Sequence, residues 1–364
     1  MMEELHQYID PFIGILKRTL ESIDIPSAIQ AYYIYTSLAI LIAANIPALQ
    51  TRFFDYGARA SSHNPTHHAS RNPITHLLDL LATFSVPHAY FTHFYLLSTL
   101  SSLLWLFQFL HPTAPLLFIQ SHSSPSLSYP LPPVPLLGSL LLLLQGLRRL
   151  AECLTWPASR TSRMWFAHWV VGLLFYATMG VAVWVRELDA LAQGFPQTYL
   201  NNLLRGELDV RALRATAVAH PTRVVVPLIV FLGASVAQHL AHRHLAGLRR
   251  SSLSVGVTES SYPEPASVPK SASHSSPPRP TYRLPTHPLF THTLTPHYLS
   301  EVLIYLCLAR ITARDGEVVN PVVMAGAGFV AVNLGVTAGR TGRWYRERFG
   351  ERVKGRARMV PGVW

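Results

Sequence analysis

Apolar runs of about membrane-spanning length recur along this chain of 364 residues. An α-helix needs roughly 20 predominantly apolar residues to cross the hydrocarbon core of a bilayer. Runs of that kind predict spanning helices near residues 28–50, 88–110, 133–155, 164–185, 222–243, 296–312 and 318–338. The pattern therefore predicts an all-α membrane protein, a polytopic bundle of about seven transmembrane helices.

The segments around these runs complete the predicted organisation. Residues 1–27 form an N-terminal lead-in with apolar positions near helical spacing, and residues 28–250 hold the first five transmembrane helices. Residues 251–280 are rich in Ser and Pro, a composition that cannot bury enough surface to offset the entropy of ordering, and residues 111–133 are similar. We predict a disordered cytoplasmic insertion at 251–280, followed by residues 281–364 with helices 6 and 7 and a basic tail.

Composition and charge favour the same class of protein. Hydrophobic residues make up 49% of the chain and charged residues only 13%, whereas soluble domains carry about 25% charged residues. The net charge is +11, but Lys and Arg lie between and after the apolar runs, above all in the C-terminal tail. That placement is typical of cytoplasmic loops rather than of a nucleic-acid-binding surface. We therefore predict a multi-pass protein with a cytoplasmic C-terminus and no nucleic-acid partner.

Polar side chains near the end of the fifth run form a first candidate constellation. Gln238, His242 and Arg249 lie near one face of a helix over three turns. Polar groups at membrane depth are costly, so each suggests a function, although hydrogen bonding between helices is the alternative. Arg249 with Arg250 suits a phosphate, but spacing alone favours plain positive-inside anchoring.

A second constellation lies at the start of the sixth run. Pro296 is suited to open a helix, and His297 and Glu301 then share one face because they are four residues apart. Glu301 enters the membrane span and needs a partner there; a structural pair with an arginine is the alternative to a functional role. Arg149 and Glu152, at i and i+3 in the third run, read as an ion pair at a helix end.

Histidine and cysteine side chains are candidate metal ligands. The spacing of His63, His67 and His68, and of His239, His242 and His244, is similar to the histidine boxes of membrane di-iron oxygenases. Those enzymes need more histidines converging on two irons, and the chain has no third box of the right form. The two cysteines, Cys153 and Cys307, both lie in apolar runs. We predict no metal site.

Seven motifs follow one another along the chain: Phe91 to Tyr95, Arg148-Arg149 with Glu152, His168 to Tyr176, Gln238 with His242 and Arg249, Tyr282 to Pro285, Pro296 to Glu301, and Trp344-Tyr345 with Phe349, Arg356 and Pro361. Taken together and in this order, they resemble the steroid 5α-reductase family, and within it most closely the polyprenol reductase branch. The resemblance implies a seven-helix membrane bundle that holds NADPH among its later helices. It implies cofactor contacts, or support for them, at Gln238, His242, Arg249, Tyr282, His297, Glu301, Tyr345 and Arg356.

The same resemblance implies an enzyme of the endoplasmic reticulum membrane that saturates the α-isoprene double bond of a long-chain polyprenoid in dolichol biosynthesis, in support of protein N-glycosylation. Hydride addition to an isolated allylic alcohol has no electron sink, whereas a conjugated aldehyde has one, so the aldehyde is the expected substrate. We expect His297 to polarise the aldehyde oxygen, with Tyr95 and His93 as further candidates. Membrane lipids are the other expected partners, and no obligate protein partner is expected.

Three departures from the family pattern stand out. Gly146 occupies the position that corresponds to the catalytic tyrosine of the steroid enzymes, which argues against a steroid substrate. The stretch Thr341 to Arg343 lacks the histidine usual before the Trp-Tyr pair, and His287 with Pro288 replaces the usual glycines. The alternatives to a reductase are a membrane di-iron hydroxylase and a non-enzymatic polytopic protein whose polar residues only join helices.

Overall fold

The computed structural model describes residues 24–54, 72–123, 134–157, 162–187, 221–258, 282–314 and 316–364. Within these ranges α-helices dominate. They are α1 (Ile25–Asn45), α2 (Pro73–Thr83), α3 (Phe91–Leu110), α4 (Ala114–Ser121), α5 (Val134–Thr155), α6 (Phe166–Ala182), α7 (Val225–Thr258), α8 (Pro296–Ile311) and α9 (Pro321–Phe349), with a short α-helical turn at Pro47–Leu49. Shorter turns are a π-helix at Gln50–Phe54 and 3-10 helices at His88–Tyr90, Val185–Glu187, Pro288–Phe290 and Gly350–Val353.

A small β-ribbon is the departure from an all-α fold. Strands β1 (Ser85–Pro87) and β2 (Arg163–Trp165) pair antiparallel, with Ser85 opposite Trp165. In the chain, β2 leads directly into α6, and β1 is followed by the 3-10 turn His88–Tyr90 that precedes α3. The predicted α-helical class is otherwise confirmed for the described residues.

Five segments are long and apolar enough to cross a membrane among the residues that the structure describes: Ile25–Asn45, His88–Leu110, Phe166–Glu187, Val225–Arg249 and Pro321–Val353. The chain is therefore a multi-pass membrane protein. The other two predicted spans coincide with helices α5 and α8, but α5 carries three charged residues and α8 has only 16 residues. The count of seven spans stays a prediction.

The structure differs from the hydropathy pattern at the ends of α1 and at one short helix that the pattern did not predict. Helix α1 begins at Ile25 because the Asp24 side chain accepts a hydrogen bond from Ser27 N at 3.0 Å. It ends at Asn45, shortly before Pro47. Both ends therefore lie earlier in the chain than those of the predicted range 28–50. The absence of regular structure predicted for residues 111–133 was wrong at Ala114–Ser121, where Leu116 and Ile119 are buried on one side of α4.

Two predicted segments lie wholly or mostly outside the described residues. Of the N-terminal lead-in at 1–27, residues 1–23 are not described. Helix α7 continues to Thr258, inside the insertion predicted at 251–280. Residues 259–280 of that insertion lie outside the described ranges.

The chain divides into two compact units. The first unit runs to Ser235 and includes Glu301–Thr337. In it α3 packs against α5 and α6. The Tyr33 ring is fully buried against Phe175 and Phe329, at centroid distances of 5.8 and 6.2 Å. This unit holds most of the apolar core.

Small residues allow the helices of the first unit to approach closely, as is usual in membranes. A Cβ atom at Gly172 of α6 would lie 2.6 Å from the Phe94 ring of α3. A Cβ atom at Gly146 of α5 would lie 3.1 Å from the hydroxyl oxygens of Ser98 and Thr99. Helix α3 is thus held tightly between its two neighbours, and its polar side chains face α5 at short range.

The second unit comprises Val236–Ser300 and Ala338–Trp364. Its apolar core consists of Leu284, Leu294, Tyr345 and Val353, with Trp344 and Phe349 packed against it. The C-terminal segment is fixed by two side-chain hydrogen bonds: Thr293 Oγ1 donates to the Met359 carbonyl at 2.9 Å and Thr295 Oγ1 to the Arg358 carbonyl at 2.6 Å.

Candidate functional site

A buried polar network connects α3, α5 and α8 within the first unit. Arg149 Nη2 donates a 2.8 Å hydrogen bond to the Tyr95 hydroxyl oxygen, and its guanidinium carbon lies 4.6 Å from the centre of that ring. Arg149 also pairs with Glu152. Tyr95 and Glu152 are 6% and 5% exposed. A tyrosine hydroxyl and an ion pair are therefore held together away from solvent.

The network continues along one face of α5, because its members are three or four residues apart. Arg148 Nη1 pairs with Glu152 at 2.7 Å, and Arg148 Nη2 donates to Gln145 Oε1 at 2.7 Å. Gln145 Nε2 in turn donates to Glu301 Oε2 at 3.3 Å. A structural pair with an arginine was the alternative to a functional role for Glu301. The structure shows the Gln145 contact, and Arg149 is close enough to act on Glu301 electrostatically.

Further hydroxyl groups surround Tyr95. The Tyr176 ring meets the Tyr95 ring edge-on at a centroid distance of 5.5 Å, and Tyr305, fully buried, also acts electrostatically on Tyr95. On the same face of α3 the buried hydroxyls of Thr99 and Ser102 have no hydrogen-bond partner among the described residues. Buried polar groups are normally paired, so hydroxyls left over in an apolar bundle suit a polar group of a ligand.

His93 does not join this network. Its ring lies 4.4 Å from the Tyr90 ring and 6.1 Å from the Trp169 ring. Two residues along an α-helix turn the side chain by roughly 200°, so His93 and Tyr95 point to opposite sides of α3. The two candidates therefore have different neighbours, and Tyr95 is the one beside ionisable groups.

In the second unit the structure brings Gln238, His242 and His297 together. Gln238 Nε2, which is buried, donates to the His297 carbonyl oxygen at 3.4 Å. The His242 and His297 rings meet edge-on with centroids 5.3 Å apart. The helical spacing of Gln238 and His242 thus places both next to the first turn of α8, which Pro296 begins.

Aromatic and basic side chains of the C-terminal segment form a second group in this unit. The Tyr282 ring meets Trp344 edge-on at 5.2 Å, and the Arg348 guanidinium lies 4.8 Å over Tyr282. Arg348 was missed from the sequence, although its position four residues after Trp344 was the available signal. Tyr345 is buried in the apolar core and Arg356, half-buried, acts on it electrostatically.

Positive charge accumulates at the end of the chain. Burial lowers the pKa of Arg358, and the neighbouring guanidinium groups of Arg346 and Arg343 lower that pKa further. Arginines that repel one another are relieved by an anion, so this cluster fits a ligand that carries phosphate groups. Arg249, at the end of the candidate span Val225–Arg249, is exposed.

The histidine boxes gain no support as a metal site. Among the residues that the structure describes, no group of three or more His, Cys, Asp or Glu side chains is placed to hold a metal ion. His63, His67 and His68 lie outside the described residues.

Two comparisons with known proteins found matches to this chain. Residues 273–364 match the model of the family described as 3-oxo-5-alpha-steroid 4-dehydrogenase. The chain is also similar to the polyprenal reductase of Caenorhabditis elegans, with 25% identity over 297 residues, which cover 78% of this chain and 81% of the relative. The resemblance to the steroid 5α-reductase family, and to its polyprenol reductase branch, is confirmed.

Proposed function

We propose that the protein is an NADPH-dependent reductase that saturates the α-isoprene double bond of polyprenal, on the route to dolichol in the endoplasmic reticulum membrane. The observation that carries the proposal is the buried Tyr95–Arg149 pair with the Gln145–Glu301 contact inside an apolar bundle. The similarity to a polyprenal reductase, over most of both chains, supports the choice of substrate.

The proposed chemistry needs a group that stabilises charge on the aldehyde oxygen. NADPH, when bound, would supply a hydride for the β-carbon of the conjugated aldehyde. The electron pair of the double bond would then move towards the carbonyl group and form an enolate. The α-carbon of the enolate would finally take up a proton. A hydrogen-bond donor aimed at the carbonyl oxygen lowers the barrier to this step. Since the Tyr95 hydroxyl oxygen already accepts from Arg149, its own proton is available for donation.

Arg149 has two effects on Tyr95 in this proposal. The guanidinium holds the phenol in place through the hydrogen bond and by lying over the ring. Its positive charge also stabilises the negative charge that develops on the phenol oxygen as the phenol proton moves to the enolate oxygen. The enolate oxygen gives up that proton when the α-carbon takes up its own and the aldehyde is restored. Tyr95 is therefore our first candidate for the proton donor, and His297, with its ring against His242, is the other.

The residues that would hold NADPH are those implied by the family resemblance, chiefly the basic and aromatic side chains of the second unit. Arg249, Tyr282 and Arg356 supply positive charge and a ring face. The mutual repulsion within the Arg343, Arg346 and Arg358 cluster supports a phosphate-bearing ligand in the same unit. Arginine guanidinium groups suit phosphates because their paired donors match the oxygen geometry.

The test is a reduction assay on the protein in membranes with NADPH, in which polyprenal and polyprenol are compared and the saturated product is measured by mass spectrometry. Tyr95→Phe keeps the ring beneath Arg149 and removes only the hydroxyl. We expect turnover to fall about 100- to 1,000-fold, the usual cost of one lost oxyanion donor, with the NADPH Kd unchanged.

Tyr90→Phe is the matched control, because Tyr90 precedes the same helix and contacts His93 rather than Arg149. It should retain full turnover. His297→Ala separates the two candidate donors. Lost turnover with unchanged NADPH affinity would make His297 a catalytic residue. A loss of NADPH affinity in proportion to the loss of turnover would make His297 a cofactor-binding residue. Unchanged turnover in Tyr95→Phe would contradict the role of Tyr95. No NADPH binding by the unmutated protein would contradict the reductase itself.

A further inference from the structure

A groove in the second unit lies beside α7, and none of the predicted cofactor residues of that helix lines it. It has a volume of about 380 Å³ and is lined by Leu240, Arg243, His244, Gly247, Leu248 and His287. The α7 members are spaced i, i+3, i+4, i+7 and i+8, so they share one helix face. Gln238 and His242 do not line the groove and contact His297 instead. The groove is thus a separate feature of the helix.

The two histidines of the groove are fixed in a defined protonation pattern by the backbone. The Thr286 backbone N–H donates to His244 Nε2 at 3.2 Å, and the Leu289 backbone N–H donates to His287 Nδ1 at 3.3 Å. A backbone N–H can only donate, so each of these ring nitrogens is an acceptor. The other nitrogen of each ring, Nδ1 of His244 and Nε2 of His287, therefore carries the proton and is a donor.

The neighbouring rings hold this arrangement in place. The centroid of the His244 ring is 5.6 Å from that of the His287 ring and 5.8 Å from that of the Phe290 ring. The two imidazoles are therefore neighbours, and the Phe290 ring packs near His244. The exposed side chain of Arg243 adds a permanent positive charge at the groove. Among the described residues, no acidic side chain lines the groove. Three donors with no acid among them favour an anion, and phosphate above all.

The apolar part of the groove indicates where that phosphate comes from. Leu240, Gly247 and Leu248 line it beside the donors, and Val236, one turn before Leu240, is 59% exposed. Arg243 and His244 lie in the last two turns of the candidate span Val225–Arg249, which is the depth of lipid headgroups. The apolar stripe ends at the membrane surface, where hydrogen-bond donors suited to a phosphate lie. This arrangement matches an acyl chain joined to a phosphate.

We propose that this groove binds the phosphate headgroup of an anionic phospholipid, with Arg243, His244 and His287 as donors and the Val236–Leu240 side of α7 along the acyl chain. The site is independent of the reductase activity proposed above. His287 stands where the family pattern has glycine, so the second imidazole belongs to this chain rather than to the shared motif.

The test measures lipid retained by the purified full-length protein in detergent, by native mass spectrometry, after addition of phosphatidic acid or of phosphatidylcholine with the same acyl chains. We expect retention of phosphatidic acid about tenfold above phosphatidylcholine, the effect of one charge-assisted hydrogen bond. The Arg243→Gln/His287→Gln variant should lose that preference. Arg352→Gln, which removes an exposed arginine outside the groove, should keep it.

Two outcomes would overturn the proposal. Equal retention of the two lipids by the unmutated protein would show that the headgroup is not recognised. Displacement of phosphatidic acid by millimolar inorganic phosphate, with no dependence on the acyl chain, would assign the groove to a soluble anion. Size-exclusion elution checks that each variant is folded, and if the double variant aggregates, the single variant Arg243→Gln, at an exposed position, gives the result.

Discussion

Glu152→Gln is the sharpest test of the buried network, because that carboxylate is the acceptor shared by two guanidinium groups. Its side chain is only 4% exposed, and it pairs with both Arg148 and Arg149. Glutamine preserves the volume but removes the negative charge and turns one acceptor oxygen into a donor that faces a guanidinium. The change leaves buried arginine charge without its counter-ion.

The expected cost follows from the burial. Removal of one partner of a buried ion pair costs about 3–5 kcal/mol, since the other charge stays buried and unpaired. At about 2 °C or more per kcal/mol, the apparent Tm should fall by roughly 6 °C or more. The measurement is thermal unfolding in detergent, followed by size-exclusion chromatography with fluorescence detection. Turnover should fall as well, because Arg149 loses one of the contacts that orient it towards Tyr95.

The chain offers a matched control. Glu351 also pairs with a cation three residues away, Lys354, but its side chain is 84% exposed. Exposed pairs of this kind contribute little, so Glu351→Gln should leave the Tm unchanged. The double variant Arg148→Gln/Glu152→Gln removes one charge of each sign and should recover part of the loss. Equal melting temperatures for Glu152→Gln and Glu351→Gln would refute the view that Glu152 balances buried charge.

Three further predictions concern the cofactor, pH and topology. Arg249→Ala should weaken NADPH more than NADH in a binding assay if Arg249 meets the 2′-phosphate; equal losses would assign it to the pyrophosphate or to anchoring. Hydrogen bonds from Arg186 lower the pKa of Glu317, so their contribution to stability is present above the ordinary glutamate pKa and is lost as the pH falls through the lowered value. The difference in Tm between wild type and Glu317→Gln should therefore shrink on acidification, and a constant difference would contradict this. A glycosylation tag after Trp364 should stay unmodified, and a glycosylated tag would place the C-terminus in the lumen.

Hydropathy located the helices of this protein well and their ends less well. Each of the seven predicted runs coincides with a helix, because a run of about 20 apolar residues has few alternatives in a membrane. The ends depend on single residues instead: Asp24 caps α1, and Pro47 follows it. Helices α2 and α4, with 11 and 8 residues, were missed because they are shorter than any membrane span.

The candidate site was predictable to the extent that it is local in sequence. The pairing of Arg149 with Glu152, and the shared face of Gln238 and His242, follow from helical spacing. The contact between Arg149 and Tyr95 could not be predicted in this way, since it depends on the register in which α3 packs against α5. A lone tyrosine in an apolar run gives no signal of an arginine on another helix.

Gly146 connects the packing of α3 and α5 to the proposed chemistry. The resemblance to the steroid enzymes implies a catalytic tyrosine at the corresponding position of those enzymes. In this chain a Cβ atom at position 146 would lie 3.1 Å from the hydroxyl oxygens of Ser98 and Thr99. A tyrosine would therefore not fit without separating the two helices. The close approach places Arg149, one turn further along α5, in contact with Tyr95, one turn before Thr99 on α3. The phenol that this contact holds comes from the facing helix, so glycine at position 146 is compatible with the proposed reductase, in which Tyr95 is the first candidate donor to the aldehyde oxygen.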